Sequence, residues 1–222
     1  MGELVRIGRD YDGGYIMLEE FVSSMIAYSF GISDDVSWEK DMAKRGIHSF
    51  MYDHTINGLP ENNEIFHWEK RGICGSQPIE LCKTLEEFIE FNGHAGKKDL
   101  ILKMEVEGAE WDVLESVRTE TLASFSQVVL ELHDMNNPAL YNQICSVLSK
   151  LGKTHQCVHV HGNNYRSYQR IGNLVVPDVL EVLYVRKHDH IFESGNHFYP
   201  RYLDMPNSTL RNDIVLGVWN ND

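Results

Sequence analysis

Paired cysteines, a basic surplus, a long apolar run and a glycine-rich phosphate loop are all missing from this chain, and each absence narrows what it can be. The four cysteines, Cys74, Cys82, Cys145 and Cys157, are scattered and make no C-x-x-C pair. Neither a zinc knuckle nor a redox dithiol is therefore signalled, and a reducing compartment fits. The formal net charge is −13, which leaves no broad surface for phosphate and argues against nucleic acid as a partner. No apolar run approaches the ~18 residues of a membrane span. The start, MGELVRIGRD, has no apolar signal region, and Arg6 stands where a myristoylation signal would carry Ser or Thr. The expected location is cytoplasmic. Because a strand begins almost at once, an upstream segment is also an expectation.

What is present suits a folded core. The chain has 222 residues, 42% hydrophobic and 10% aromatic, ordinary values for one domain. The expected organisation is a single domain over 1–222, with an N-terminal hairpin extension over 1–22 and a C-terminal tail over 188–222 packed on it.

In order, residues 5–18 predict a hairpin turning at Tyr11-Asp12-Gly13-Gly14, where glycines supply the positive φ of tight turns. An apolar run over 24–32 stops at Gly31. Ser37 is a good cap for a helix through Trp38, Met42 and Arg45, which Gly46 closes. A strand over 47–52 ends in Asp53. Residues 64–68 predict a third strand, and 72–80 a loop or hairpin. Thr84-Leu85-Glu86-Glu87 is a capping box for a helix ending at Gly93. The apolar run Leu100-Ile101-Leu102 predicts a strand buried on both faces, followed by Glu105, Glu107, Gly108, Glu110 and a helix. Residues 127–132 form another strand, reaching Glu131, His133 and Asp134. Asn137 caps and Pro138 starts a helix that Gly152 should end. Strands follow at 156–160 and 179–186, with ordered loops at 165–173 and 188–211 and a short strand or packing tail at 214–219. Strands alternating with helices mean an α/β fold with a mostly parallel sheet.

The strand–glycine–helix–strand–acid order over 24–53 is the first half of a nucleotide-binding unit. Asp53 lies near the ~20-residue spacing at which an acid meets a ribose, and otherwise is a strand-end acid beginning a turn. A G-x-G-x-x-G, which lets a backbone close on a pyrophosphate, is lacking. S-adenosylmethionine has a ribose and no phosphate; NAD does not fit as well. Carboxylates at a strand's carboxyl end lie where open α/β sheets place ligands.

The segments RIGRDYDGGY (6–15), YSFGIS (28–33), LKMEVEGAEWDVL (102–114), LELHDM (130–135), HVHGNNY (159–165) and VPDVLEVLYVRK (176–187) together resemble the FkbM-like branch of the S-adenosylmethionine-dependent methyltransferases, in order and over nearly the whole chain. That resemblance implies a Rossmann-like class I methyltransferase fold, a seven-stranded sheet with six parallel strands and one antiparallel, and O-methylation of a hydroxyl on a sugar, glycan or small metabolite. The chain departs from the family in carrying Glu105 where Asp is usual, and in a glycine-poor cofactor loop. By matching position, Phe30, Gly31 and Ile32 would line the methionine end of S-adenosyl-L-methionine, Asp53 would hold the ribose, and Glu105 and Glu107 would complete the cofactor wall.

Glu105 and Glu107, two apart, share a face if their strand persists, and Glu131 and His133 have the same spacing. Three readings stand. His133 is the general base, with Glu105 and Glu131 beside it; or Glu105, Glu131 and Asp134 (or His133) hold a divalent cation, Mg²⁺ by its preference for oxygen; or these groups only bond neighbouring loops. His159 and His161 read as strand-face residues rather than a metal pair, and Gly162-Asn163-Asn164 as a contributor to the acceptor pocket. Arg6 and Asp12 either reach the cofactor or form a local ion pair. The competing functions are a nucleotide- or nicotinamide-binding α/β enzyme and a non-catalytic carbohydrate-binding relative of the methyltransferase fold.

Overall fold

A computed structural model of the protein describes residues 2–22, 24–76, 81–193 and 195–220. The chain opens with an antiparallel hairpin, β1 (Leu4–Ile7) and β2 (Tyr15–Leu18), as the turn residues predict. Next come β3 (Ile26–Phe30), α1 (Ser37–Lys44), β4 (His48–Tyr52) and β5 (Phe66–Glu69). Two short strands, β6 (Gly72–Ile73) and β7 (Cys82–Lys83), pair in parallel; part of the loop expected between them, 77–80, lies outside the described residues. Then follow α2 (Leu85–Phe91), β8 (Leu100–Met104), α3 (Glu110–Ser116), α4 (Thr119–Leu122), β9 (Phe125–Leu132), a 3₁₀ turn (Pro138–Leu140) and α5 (Tyr141–Thr154). The chain finishes with β10 (His155–Gly162), the hairpin β11 (Tyr168–Ile171) and β12 (Leu174–Pro177), β13 (Leu180–Arg186), and the pair β14 (Asn196–Tyr199) and β15 (Gly217–Asn220).

Seven strands form one mixed sheet in the order β10-β13-β9-β8-β3-β4-β5. β3, β4, β5, β8 and β9 pair in parallel, whereas β13 is antiparallel to both β9 and β10. Six strands thus point one way and β13 alone is reversed. The α/β class and the mostly parallel seven-stranded sheet stand as expected.

Alternation sorts the sheet's side chains onto two faces. Tyr28, Phe30, Leu102, Met104, Val128 and Leu130 pack with Phe88 of α2, Trp111 and Leu114 of α3, and Ile144 and Leu151 of α5. Ala27, Ile101, Val129 and Leu183 face the other way, onto Met17 and Leu18 of the hairpin and Trp38 and Met42 of α1. The hairpin is therefore a lid on the second face rather than a free extension. Burial on both faces explains why β8 is a continuous apolar run. Trp38 is fully buried, so its truncation to alanine is worth about 3–5 kcal/mol.

Several local expectations need correction. Thr84 does make the reciprocal capping box with Glu87, but Ser37 is not a cap. It is the first residue of α1, and its hydroxyl donates to Asp35 and accepts from the Arg9 amide. Gly152 does not end α5, which runs on to Thr154. A hypothetical Cβ there meets nothing, so helical backbone is retained at an open position. The loop expected over 165–173 belongs to the β11–β12 hairpin, whose first strand is exposed at every residue and so carries no burial pattern to read. The tail contains β14 pairing with β15. Among the described residues, no helix is long and apolar enough to cross a membrane.

Candidate active site

The carboxyl ends of β3, β4 and β8 meet around Gly31. Its φ is +80°, and a Cβ there would stand 1.7 Å from the Glu105 carbonyl oxygen. Only glycine allows this approach. The Gly31 amide donates to the Tyr52 carbonyl, and the Glu105 amide to the Phe30 carbonyl, so the glycine joins three strand ends.

Asp53 holds the loop that follows. One carboxylate oxygen accepts the Ile32 and Ser33 amides, both at 2.9 Å. The other accepts the Thr55 amide at 2.7 Å and hydroxyl at 2.6 Å. Burial alone would raise its pKa, but the Ser33, Thr55 and Ile32 donors outweigh burial and hold it below the ordinary value. All four acceptor positions of the carboxylate are engaged. Asp53 is thus a brace between two strand ends. Phe30 and Ile32 are buried beside this loop. The Phe30 ring is packed against Tyr52 and Phe88, and Ile32 is buried with Val36 and Met51. Neither side chain is exposed.

Beyond β8 the two glutamates part. Glu107 has φ +54°, which ends the strand's alternation, so Glu105 and Glu107 do not share a face. Glu105 turns under the hairpin and accepts the Tyr15 hydroxyl at 2.6 Å, with the Lys103 ammonium 3.4 Å away. Glu107 points outward and is 75% exposed. The Tyr15 hydroxyl also lies 3.3 Å from Glu131, so one phenol bridges the two carboxyl groups. Burial, then the charges of Glu105 and Glu181, pushes the Glu131 pKa well up. A buried carboxyl beside other carboxylates keeps its proton. Burial opposes the Lys103 charge, but Glu105 and Glu39 outweigh it, and the ammonium is retained.

His133 is set from the other side. Its Nδ1 lies 3.1 Å from Glu110 Oε1, while Nε2 is 3.5 Å from both Glu107 and Glu131. Glu110 is fully buried and also accepts the Val106 and Gly108 amides at 2.7 and 2.8 Å. Trp111 donates its indole N–H to the His133 carbonyl at 2.8 Å. Burial works against the imidazolium, but the hydrogen bond and charge of Glu110, then Glu107 and Glu105, raise the His133 pKa. Helix propensity and first-turn acidity account for Glu110 in the sequence; its buried role needs the fold, because the loop amides it serves lie before it.

The proposed cation set is not assembled. Glu105 and Glu131 are joined through Tyr15, while Asp134, with φ +57°, lies beside Gly108. Among the described residues no group of three or more His, Cys, Asp or Glu side chains is arranged to hold a metal ion.

A second polar group adjoins the first on the hairpin side. His161 lies 3.0 Å from both Glu181 and Asp213, and His159 lies 3.0 Å from Asp204. Burial opposes its charge, but Asp213 and Glu181 lift the His161 pKa to about 10. Asn163 donates to Glu131, and Asn164 to the Ser208 carbonyl. Asn207 reaches Asp12 and Glu181, so Asp12 is tied to the tail and not to Arg6, which donates to the Arg9 and Tyr11 carbonyls. The alternating histidines of β10 thus anchor the 204–213 segment. A separate cleft of about 350 Å³, lined by Leu18, Asp99, Gln127 and Arg186, lies at the amino ends of β8 and β9, away from the strand ends where open sheets bind ligands.

Tyr15, Lys103 and the buried role of Glu110 are what sequence reasoning missed at the site. A signal existed only for Lys103, a charge inside an apolar strand. No family model matches the chain, and no curated protein matches it.

Proposed function

We propose that the protein is an S-adenosylmethionine-dependent methyltransferase of the FkbM-like kind, acting on a hydroxyl of a sugar, glycan or small metabolite. The observation that carries this reading is the strand order with β13 alone reversed next to the sheet's edge, combined with a glycine and an acid at the carboxyl ends of β3 and β4. The resemblance of the ordered motifs adds to it. The absent pyrophosphate fingerprint weighs against a nicotinamide enzyme.

S-adenosylmethionine supplies an electrophilic methyl group with its own leaving group. The residues of this chain bind, orient and accept a proton. The backbone at Gly31, Ile32 and Ser33 would line the methionine end, and Asp53, which Thr55 now engages, would hold the ribose hydroxyls. The acceptor's proton passes to His133 Nε2. Glu110 holds the opposite ring nitrogen and stabilises the imidazolium that forms, while Tyr15 and Lys103 keep Glu105 in place. Since the His133 pKa is raised, the base form grows in only above the ordinary histidine value.

Calorimetric titration with S-adenosylmethionine and with NAD tests the reading. Saturable heat with the first and none with the second is expected. Binding of NAD alone, or of neither by folded protein, overturns it.

A further inference from the structure

The β11–β12 arm is a two-stranded sheet outside the main sheet, with every residue of β11 exposed. It leaves β10 and returns to β13 at the carboxyl edge, above the acid cluster. Residues 163–177, NNYRSYQRIGNLVVP, contain two arginines and no Asp or Glu, in a chain of net charge −13. A local basic segment at the mouth of an acidic protein would focus an anionic ligand there.

Its register decides which side chains overhang the site. Tyr168 pairs with Pro177 and Arg170 with Val175, and cross-strand partners share a face. Val175 is packed in the main core, so this is the arm's inward face. Yet Tyr168 and Arg170 remain exposed, as every residue of β11 is. Tyr165 is 52% and Tyr168 49% exposed. Arg166 Nη2 lies 3.7 Å from Glu107, which ties the arm's base to the turn beside His133. Arg170 makes no hydrogen bond or ion pair among the described residues.

We propose that this arm binds an acidic oligosaccharide, with Tyr165 and Tyr168 as stacking surfaces for sugar rings and Arg170 as the partner of a sugar carboxylate. Tyrosine gives rigid amphipathic contact at small entropic cost, and a guanidinium matches a carboxylate in a two-point fork. Gln169 and Asn173 add amide donors and acceptors on the same hairpin. Single-stranded nucleic acid also stacks on tyrosine, but it needs a basic track along several phosphates, and two arginines in so acidic a chain do not form one. The outward face, with Ile171 and Leu174 paired, is left to solvent. Calling this oligosaccharide the acceptor rests on the methyl-transfer reading; its binding does not.

The test is calorimetric titration of the full chain, with and without S-adenosylhomocysteine, using oligogalacturonate, a malto-oligosaccharide of equal length, and oligothymidylate. Oligogalacturonate is expected to bind saturably and more tightly than the other two. Arg170→Ala and the double variant Tyr165→Ala/Tyr168→Ala should each weaken it by about tenfold or more, with circular dichroism unchanged. Equal binding of the neutral sugar, tighter binding of oligothymidylate, absence of oligogalacturonate binding, or indifference to these exposed substitutions overturns the assignment. Oligogalacturonate binding by a protein that takes up no S-adenosyl compound would sink the methyltransferase reading and leave the arm's role standing.

Discussion

His161 offers a quantitative test of how the tail is held. It is buried between Glu181 and Asp213, and its pKa rises from 6.5 to about 10. The folded state therefore binds this proton more tightly than the unfolded state does. The resulting stability is fully present below pH ~6.5 and is lost as pH rises through about 10. Between pH 6.5 and 9 the loss comes to about 3 kcal/mol at ~1.4 kcal/mol per pH unit. Urea unfolding of the native protein and of His161→Gln at pH 6.5, 7.5, 8.5 and 9 reads this directly. The variant should be much less stable at pH 6.5, because two carboxylates lose their cation, and the gap should narrow by about 3 kcal/mol by pH 9. His133 and Glu131 also bind protons more tightly when folded, but they do so in both proteins and cancel in the difference. Parallel stability curves would refute the buried imidazolium.

Gly31→Ala forces a Cβ onto the Glu105 carbonyl at a left-handed φ; a loss of more than about 2 kcal/mol in urea unfolding is expected, and a native-like midpoint would contradict the close strand-end approach. Glu110→Gln removes the charge that raises the His133 pKa. Imidazole NMR titration should then show His133 moving down toward the ordinary histidine value, whereas an unchanged titration would remove Glu110 from its positioning role.

The sheet was legible because its signals are local. Leu100-Ile101-Leu102, the hairpin glycines and the Thr84 box each name an element without reference to the rest of the chain. The site was legible only in part. Gly31, Asp53, Glu105, Glu131 and His133 sit at strand ends, where alternation and order place them. Tyr15 could not be read, since it meets Glu105 from a hairpin 90 residues away in sequence. Glu110 was taken for a helix-start acid, because nothing in its neighbours shows that it is buried. The shared face of Glu105 and Glu107 was expected only if their strand persisted, and β8 ends at Met104, with Glu107 at a left-handed φ beyond it. Phe30 and Ile32 were placed beside the cofactor by motif position, and their side chains are buried; a motif position says where the backbone is, not which way the side chain turns. The β11–β12 arm escaped notice because an exposed strand has no hydrophobic period.

Backbone amide hydrogen exchange with and without S-adenosylmethionine tests the central claim most directly, since it reports both binding and place. Added protection is expected at 30–35, 53–55 and 104–108, where Gly31, Asp53 and Glu105 bring three strand ends together. Unchanged exchange throughout, or protection confined to the amino ends of β8 and β9 around Asp99 and Gln127, would contradict a cofactor site at Gly31.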